Sequence, residues 1–304
     1  MRISERGMTR TVLTDLMSNR SRLERLHEQL SSGSRINRPS DDPGGTVTYM
    51  NIESTLSELE QFRSNTSLAR DWLNATESAL NETTDLVHRL RELGVRGSTD
   101  TMPQESLDAL AEEVSEIVDH LMAVANTRHV GRYIFGGYRT EAAPFHWVED
   151  PVPGNHVSYS GDDGLITRRV GPGVEIQVNV PGDLQVGGAD GGFFDNLLNT
   201  AADMRDALFA GDADGLDAGL GELDANQDEI LAVRSQVGSR ANRLDMSENR
   251  LEDMRISLTR VLSETADVDV AEAIMHLSMT ERAYQVTLAT GARILPQTLL
   301  DYLR

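Results

Sequence analysis

Residues 216–258 read LDAGLGE-LDANQDE-ILAVRSQ-VGSRANR-LDMSENR-LEDMRIS-L, with Leu216, Leu223, Ile230, Val237, Leu244, Leu251 and Leu258 at strict seven-residue spacing. A helix makes one turn per 3.6 residues, so this repeat holds a narrow apolar seam against a partner helix and winds the pair left-handed. The pattern predicts a helix over about 213–262, ~75 Å long at 1.5 Å per residue. Two further heptad seams answer it. Leu16, Leu23 and Leu30, with Val12 and Leu26 beside them, mark a helix over about 5–31. Ile52, Leu59, Thr66, Leu73, Leu80 and Val87 mark a second over about 46–93, with Thr55, Phe62, Ala69, Thr76, Thr83 and Leu90 alongside. Threonine at so many seam positions points to close, tolerant packing rather than a dimer zipper.

Gly94 to Thr101 is expected to break that second helix, and Pro103 to open a third, reaching about residue 128. A last helix follows Ala266-Asp267-Val268-Asp269. Its apolar positions are Ile274, Leu277, Tyr284, Leu288, Leu295, Leu299 and Leu303, with Ala283, Thr287 and Gly291 small enough for close helix approach. From Tyr133 to Val186 the period changes to two, as in Val174-Glu175-Ile176-Gln177-Val178-Asn179-Val180, with glycine and proline punctuation. Hairpin turns are expected at Gly161-Asp162-Asp163-Gly164 and Gly171-Pro172-Gly173. About 55 residues of this kind are marginal as an independent domain.

The fold class is therefore mainly α: nested long coiled-coil helices from both termini, forming a rod, with a small inserted β-domain at its tip. The expected domains are 1–35 with 267–304 (terminal helical pair), 36–132 with 193–266 (helical rod) and 133–192 (β-rich insertion). The first helix ends at Ser31-Ser32-Gly33-Ser34, where Gly33 suits the left-handed conformation that closes helices. The polar joint beyond it contains Pro39, Ser40, Asp41, Asp42 and Pro43; the prolines exclude helix just before them, and Ser and Asp suit a cap. This joint and residues 266–270 are expected side by side as a paired hinge that bends at little cost.

Composition excludes whole classes. The chain carries 49 acidic residues against 28 basic ones, all Arg, for a formal charge of −21. Such an excess opposes binding to nucleic acid or to anionic membranes. The charge is uneven: residues 1–40 carry +4 and residues 265–304 carry −2, leaving −23 on the 224 residues between. The ends attract one another weakly, while the middle repels other acidic surfaces. Cysteine is absent, which removes disulfides, thiol catalysis and thiolate metal sites. The start has no apolar run and no window approaches 18 apolar residues, so neither a cleaved signal nor a membrane span is expected. Taken alone, that reads as an intracellular protein.

No catalytic constellation emerges. The seven His lack HExxH spacing, and no GxSxG, GxGxxG or P-loop follows a strand. His146 and His156 flank an expected hairpin and are read as solvated rather than as metal ligands. Asp212, Asp214 and Asp217 fail a calcium loop, which needs Gly where Asp217 stands, and are read as an acidic helix start. No catalytic, cofactor or metal site is assigned.

Three segments carry a resemblance. Leu30-Ser31-Ser32-Gly33-Ser34-Arg35-Ile36-Asn37 with Ser40-Asp41-Asp42-Pro43, and Ala289-Thr290-Gly291-Ala292-Arg293-Ile294-Leu295-Pro296-Gln297-Thr298-Leu299-Leu300, resemble the two terminal signatures of the flagellin superfamily. The block Gly131-Arg132-Tyr133-Ile134-Phe135-Gly136-Gly137, continuing to Phe145, resembles within it the hook–filament junction proteins, hook-associated proteins of the L type. Flagellins usually have Ala-Ala or Ala-Gly where Pro43-Gly44 stands. The resemblance implies a non-enzymatic adaptor outside the cell, exported without a cleaved signal peptide through the flagellar secretion apparatus. It implies as partners a ring of copies, the preceding hook-associated junction protein, flagellin and a flagellar export chaperone. The other reading kept open is a short flagellin forming the filament itself. Assembly is expected to use Leu16, Leu23, Leu30, Ile274, Leu277, Tyr284, Leu288, Leu295 and Leu299.

Overall fold

A computed structural model describes residues 5–99, 102–152, 154–185 and 191–294. Its helices are α1 (Glu5–Ser32), α2 (Pro43–Gly97), α3 (Gln104–Ala125), α4 (Phe193–Ala210), α5 (Ala213–Ala266) and α6 (Val270–Ile294). Its strands are β1 (Arg128–His129), β2 (Arg132–Tyr133), β3 (Phe145–Val152), β4 (Asn155–Tyr159), β5 (Thr167–Gly171) and β6 (Val174–Gln177). The mainly α architecture with a small inserted β region is the one expected. By compactness the chain divides into two units, residues 1–58 with 254–304, and residues 59–253. The buried residues of the β region, Ile134, Phe135, Phe145, Val157, Val170 and Ile176, share one core with the helices around them.

In the second unit, α2 and α5 run antiparallel. Arg234 of α5 bonds Glu77 of α2 at 2.8 Å, Arg91 pairs with Asp224 at 3.0 Å, and Arg70 pairs with Glu248 at 2.6 Å. Leu216, Leu223, Ile230, Val237, Leu244 and Leu251 are all buried, as are Leu59, Thr66, Leu73, Leu80 and Val87 facing them. Thr66 and Thr83 satisfy their buried hydroxyls by donating to the carbonyls of Phe62 and Ala79, one turn back. α3 and α4 complete this core through Leu110, Val114, Leu121, Leu197 and Ala201.

Two expectations are corrected here. The second helix ends inside the expected Gly94–Thr101 break, at Gly97 rather than at about residue 93. A β-carbon on Gly94 would lie 2.6 Å from Met204 Cε and 2.9 Å from a Leu220 methyl, so this glycine admits α4 and α5 rather than ending α2. The strands form three separate antiparallel pairs, β1–β2, β3–β4 and β5–β6. Gly171-Pro172-Gly173 does turn a hairpin, but β4 and β5 do not pair, so Gly161–Gly164 joins two hairpins instead of making one. The alternation also stops as strand at Gln177. Asn179 is fully buried and satisfies the neighbouring loop, accepting from the Ile166 N–H at 2.7 Å and donating to the Gly164 carbonyl at 2.7 Å.

Candidate functional site

The first unit pairs α1 with α6, antiparallel. Val12, Leu16, Asn19, Leu23, Leu26 and Leu30 line α1, and Ala273, Leu277, Thr280, Tyr284, Thr287 and Gly291 line α6, both at alternating four- and three-residue steps. Asn19 Nδ2 donates to Thr287 Oγ1 at 3.3 Å, and a β-carbon on Gly291 would come within 3.0 Å of Val12. Small residues on α6 thus set a close approach, as expected of Thr287 and Gly291, whereas Ala283, also expected there, is exposed. Leu16, Leu23, Leu30, Leu277 and Tyr284 lie in this seam. Ile274 and Leu288 do not: they are 51% and 44% exposed and face outward with Met275, Met279 and Val286. Sequence reading followed the large apolar residues and missed Ala273 and Thr280, whose only signal is their heptad step. Leu295, Leu299 and Leu303 lie outside the described residues.

The pair is thinly covered. No α1 seam residue is fully buried, whereas the α2–α5 seam is. A helix apolar on several faces requires cover on several faces, and α6 has it on one. Hydrogen exchange of the purified chain should find amides 12–30 and 273–291 nearly unprotected and 216–251 strongly protected. Equal protection in all three would contradict this account.

The joint is more closely bonded than a cheap hinge. Gly33 takes φ +73° and closes α1. Arg35 N–H donates to the Ala266 carbonyl at 2.6 Å, Val268 N–H to Gly33 at 3.0 Å, and the Arg35 guanidinium to Thr265 at 2.7 Å. The two breaks do lie side by side, but backbone bonds lace them together. Pro39, Ser40 and Pro43 are exposed; Asp41 Oδ2 accepts from Arg38 N–H at 3.0 Å. Pro43 occupies the first position of α2, and Asp42 caps it by accepting from Gly45 N–H at 2.9 Å. The Gly45 N–H, and then Arg35, hold the Asp42 carboxyl below its ordinary value. A carboxylate lowered on folding contributes stability above its unfolded pKa of ~4, lost as pH falls through the lower folded value. Asp42→Ala should therefore speed exchange at amides 45–47 and leave α2 beyond Leu59 unchanged. Acidification should fray the same turn.

The block from Gly131 is locked into the second unit. Ile134 and Phe135 are buried, and the Phe135 ring sits 4.7 Å from Phe194 and 6.2 Å from Phe193, between centroids. Gly137, at φ +67°, leaves no room for a β-carbon, which would fall 2.1 Å from the Asp162 carbonyl. A β-carbon on Gly136 would meet the Arg139 carbonyl at 2.6 Å. The paired glycines thus close the loop after Phe135 against the segment around Asp162. Arg132 and Tyr133 form β2, and Tyr133 lies under the Arg128 guanidinium, 4.3 Å from its ring. At the β1–β2 tip Val130 takes φ +49°. A β-branched residue there is strained by about 1–3 kcal/mol, and nothing in the sequence signalled it.

Among the described residues no cluster of three His, Asp or Glu is placed to hold a metal. His146 and His156 do not converge: His146 is exposed, while His156 packs on α4 with Nε2 2.9 Å from Asp203 Oδ1, corrected from its expected solvated place. Asp212 starts α5 as expected, accepting from Gly215 N–H at 3.1 Å. No described helix is long and apolar enough to cross a membrane.

Two family models match the chain: the bacterial flagellin N-terminal helical region over residues 3–140, and the bacterial flagellin C-terminal helical region over residues 220–303. Flagellar hook-associated protein 3 of Escherichia coli is 24% identical over 300 residues, covering 94% of this chain and 95% of that protein. A flagellin of Bacillus subtilis is 28% identical over 320 residues, covering all of both. In fold, the chain resembles a solved putative flagellar hook-associated protein from Vibrio parahaemolyticus, with a TM-score of 0.64 and 19% identity over 75% of this chain and 100% of that one. With the two terminal regions matched in order over more than two thirds of its length, the chain belongs to the flagellin superfamily, the structural proteins of the bacterial flagellum.

Proposed function

We propose that this chain is the adaptor between hook and filament: a ring of copies seated on the preceding hook-associated protein and presenting a flagellin-like surface on which the filament polymerises. The observation that carries this reading is the terminal pair. α1 and α6 leave Leu13, Met17, Ile274, Met279, Val286 and Leu288 in water, an exposure that neighbouring copies relieve. Assembly then completes the fold, which also suits export of an unfolded chain through the flagellar apparatus with a chaperone covering the apolar helix. Pro39–Pro43 serve as a hinge, a stiff one, because a bend there breaks the Arg35 bonds to 265 and 266.

The block from Gly131 and the hook-associated relatives that span the chain favour the junction over the filament. The full-length likeness to the Bacillus subtilis flagellin favours the second reading, a filament subunit. Deleting the gene separates the two. A junction protein's absence leaves hooks bare and flagellin shed into the medium. Filaments that persist in the deletion strain would overturn the reading, and unaided growth of the purified chain into long filaments would establish the second.

A further inference from the structure

The tip of the β1–β2 hairpin is built in a costly way and displayed to solvent. Its two-residue turn, Val130-Gly131, has positive φ at both positions (+49° and +77°), which Asn-Gly would adopt easily and Val resists. The Val130 side chain is nevertheless 87% exposed, so the strain is not repaid by packing in this chain. Arg128 and Arg132 flank it, both exposed. Arg128 is held on the Tyr133 ring, and Arg132 reaches Thr140 Oγ1 at 3.4 Å. Among the described residues no carboxylate pairs with either guanidinium. The result is a preorganised apolar and basic knob on a chain of charge −21.

α3 shows the opposite surface. It contains no Arg, and Glu105, Glu112, Glu116 and Asp119 lie exposed along it at steps of seven, four and three residues. Among the described residues none of the four has a cationic partner. Copies with this charge repel one another when packed side by side, so a ring requires local attraction to offset it.

We propose that the hairpin tip, Arg128, Val130 and Arg132, docks on the acidic face of α3 in a second copy of this chain. Val130 would pack on the aliphatic stems of Glu112 and Glu116 while the two guanidiniums pair with their carboxylates. Knob and face are different surfaces, so the contact is head-to-tail and repeats around a ring or helix. The inference rests on the adaptor reading, in which copies stand side by side.

The absence of native cysteine makes cross-linking a clean test. A chain with Val130→Cys and Glu116→Cys is expressed in place of the native one, and isolated flagella are oxidised and run without reductant. The expected result is a ladder of dimers and higher species for the double variant and none for either single variant. Filaments present without a ladder would overturn the docking and leave the adaptor reading intact; filaments in cells lacking the chain altogether would overturn the adaptor reading itself. If the cysteine pair blocks assembly, charge reversal decides: Arg128→Glu with Arg132→Glu should cut the fraction of filamented cells at least tenfold, and adding Glu112→Arg with Glu116→Arg should restore it. Failure to restore overturns the docking. Val130→Asn should raise the thermal midpoint by about 2–4 °C, through the relaxed turn, yet weaken assembly. A purely structural hairpin would give the first effect without the second.

Discussion

A chain carrying Leu288→Asp is expected to fold as stably as its parent and to be exported, and yet to leave hooks without filaments. Leu288 is outside the α1–α6 seam and partly exposed in the isolated chain. A carboxylate there meets water, and surface changes of this kind stay within about 0.5 kcal/mol. On the adaptor reading the same face is covered by neighbouring subunits. The carboxylate then loses its water without gaining a partner, at a cost of several kcal/mol per copy, repeated around every subunit of the ring. Leu277→Asp is the companion variant. Leu277 lies in the seam, so its replacement disturbs the pair before assembly begins as well as after it. The measurement is thermal unfolding of the purified variants beside export and filament counts in cells. Normal motility with exported Leu288→Asp would show that the outward face of α6 needs no cover, and the case for neighbours would fall.

The contrast between Leu277 and Leu288 also shows what sequence can and cannot reveal. The seven-residue seam at 216–251 was legible because burial between two long helices imposes its own period on the chain. The α6 seam was half legible. Leu277 and Tyr284 stand out as large residues, but Ala273, Thr280 and Gly291 are selected for close approach, and small residues leave no hydrophobic signal. The large residues beside them, Ile274 and Leu288, read as seam although they face away. The role of Gly94 was hidden for a related reason: a glycine that ends a helix and one that admits Met204 look alike in sequence. In the β region, Val174–Val180 alternates as a strand should, but beyond Gln177 the ladder gives way to the Val178 N–H on the Ile166 carbonyl at 2.9 Å and to the buried amide of Asn179. The helix breaks at the joint were legible from its prolines and Gly33, but the bonds that lace it were hidden, since they join backbone groups more than 200 positions apart. Val130 was invisible, because backbone strain appears only once φ is known.

Phe135→Ala should destabilise the second unit by about 3–5 kcal/mol, the range for deleting a buried aromatic ring. The upper part of that range is expected because the site cannot collapse. On one side stand Phe193 and Phe194, tilted against each other at 4.5 Å between centroids, with Phe145 a further 5.8 Å from Phe194. On the other, Gly136 and Gly137 are pinned against the Arg139 and Asp162 carbonyls and have no freedom to move inward. The Phe135 carbonyl also accepts from Gly182 N–H at 2.7 Å and lies 3.0 Å from the Tyr159 hydroxyl, contacts that alanine keeps and that hold the backbone in place. The cavity therefore stays open. Denaturant unfolding of the purified chain measures the loss, with Leu165→Ala, a partly exposed position, as the control within about 0.5 kcal/mol. The variant's second consequence is functional. Ile134 N–H donates to Thr127 at 3.1 Å, so the segment that carries Phe135 also holds the base of the β1–β2 hairpin. Loosening the aromatic cluster should let that hairpin move and weaken assembly below what the lost stability alone predicts. A variant that loses less than about 1 kcal/mol would mean the rings repack, and the glycines would then have to be the mobile part of the block rather than its fixed floor.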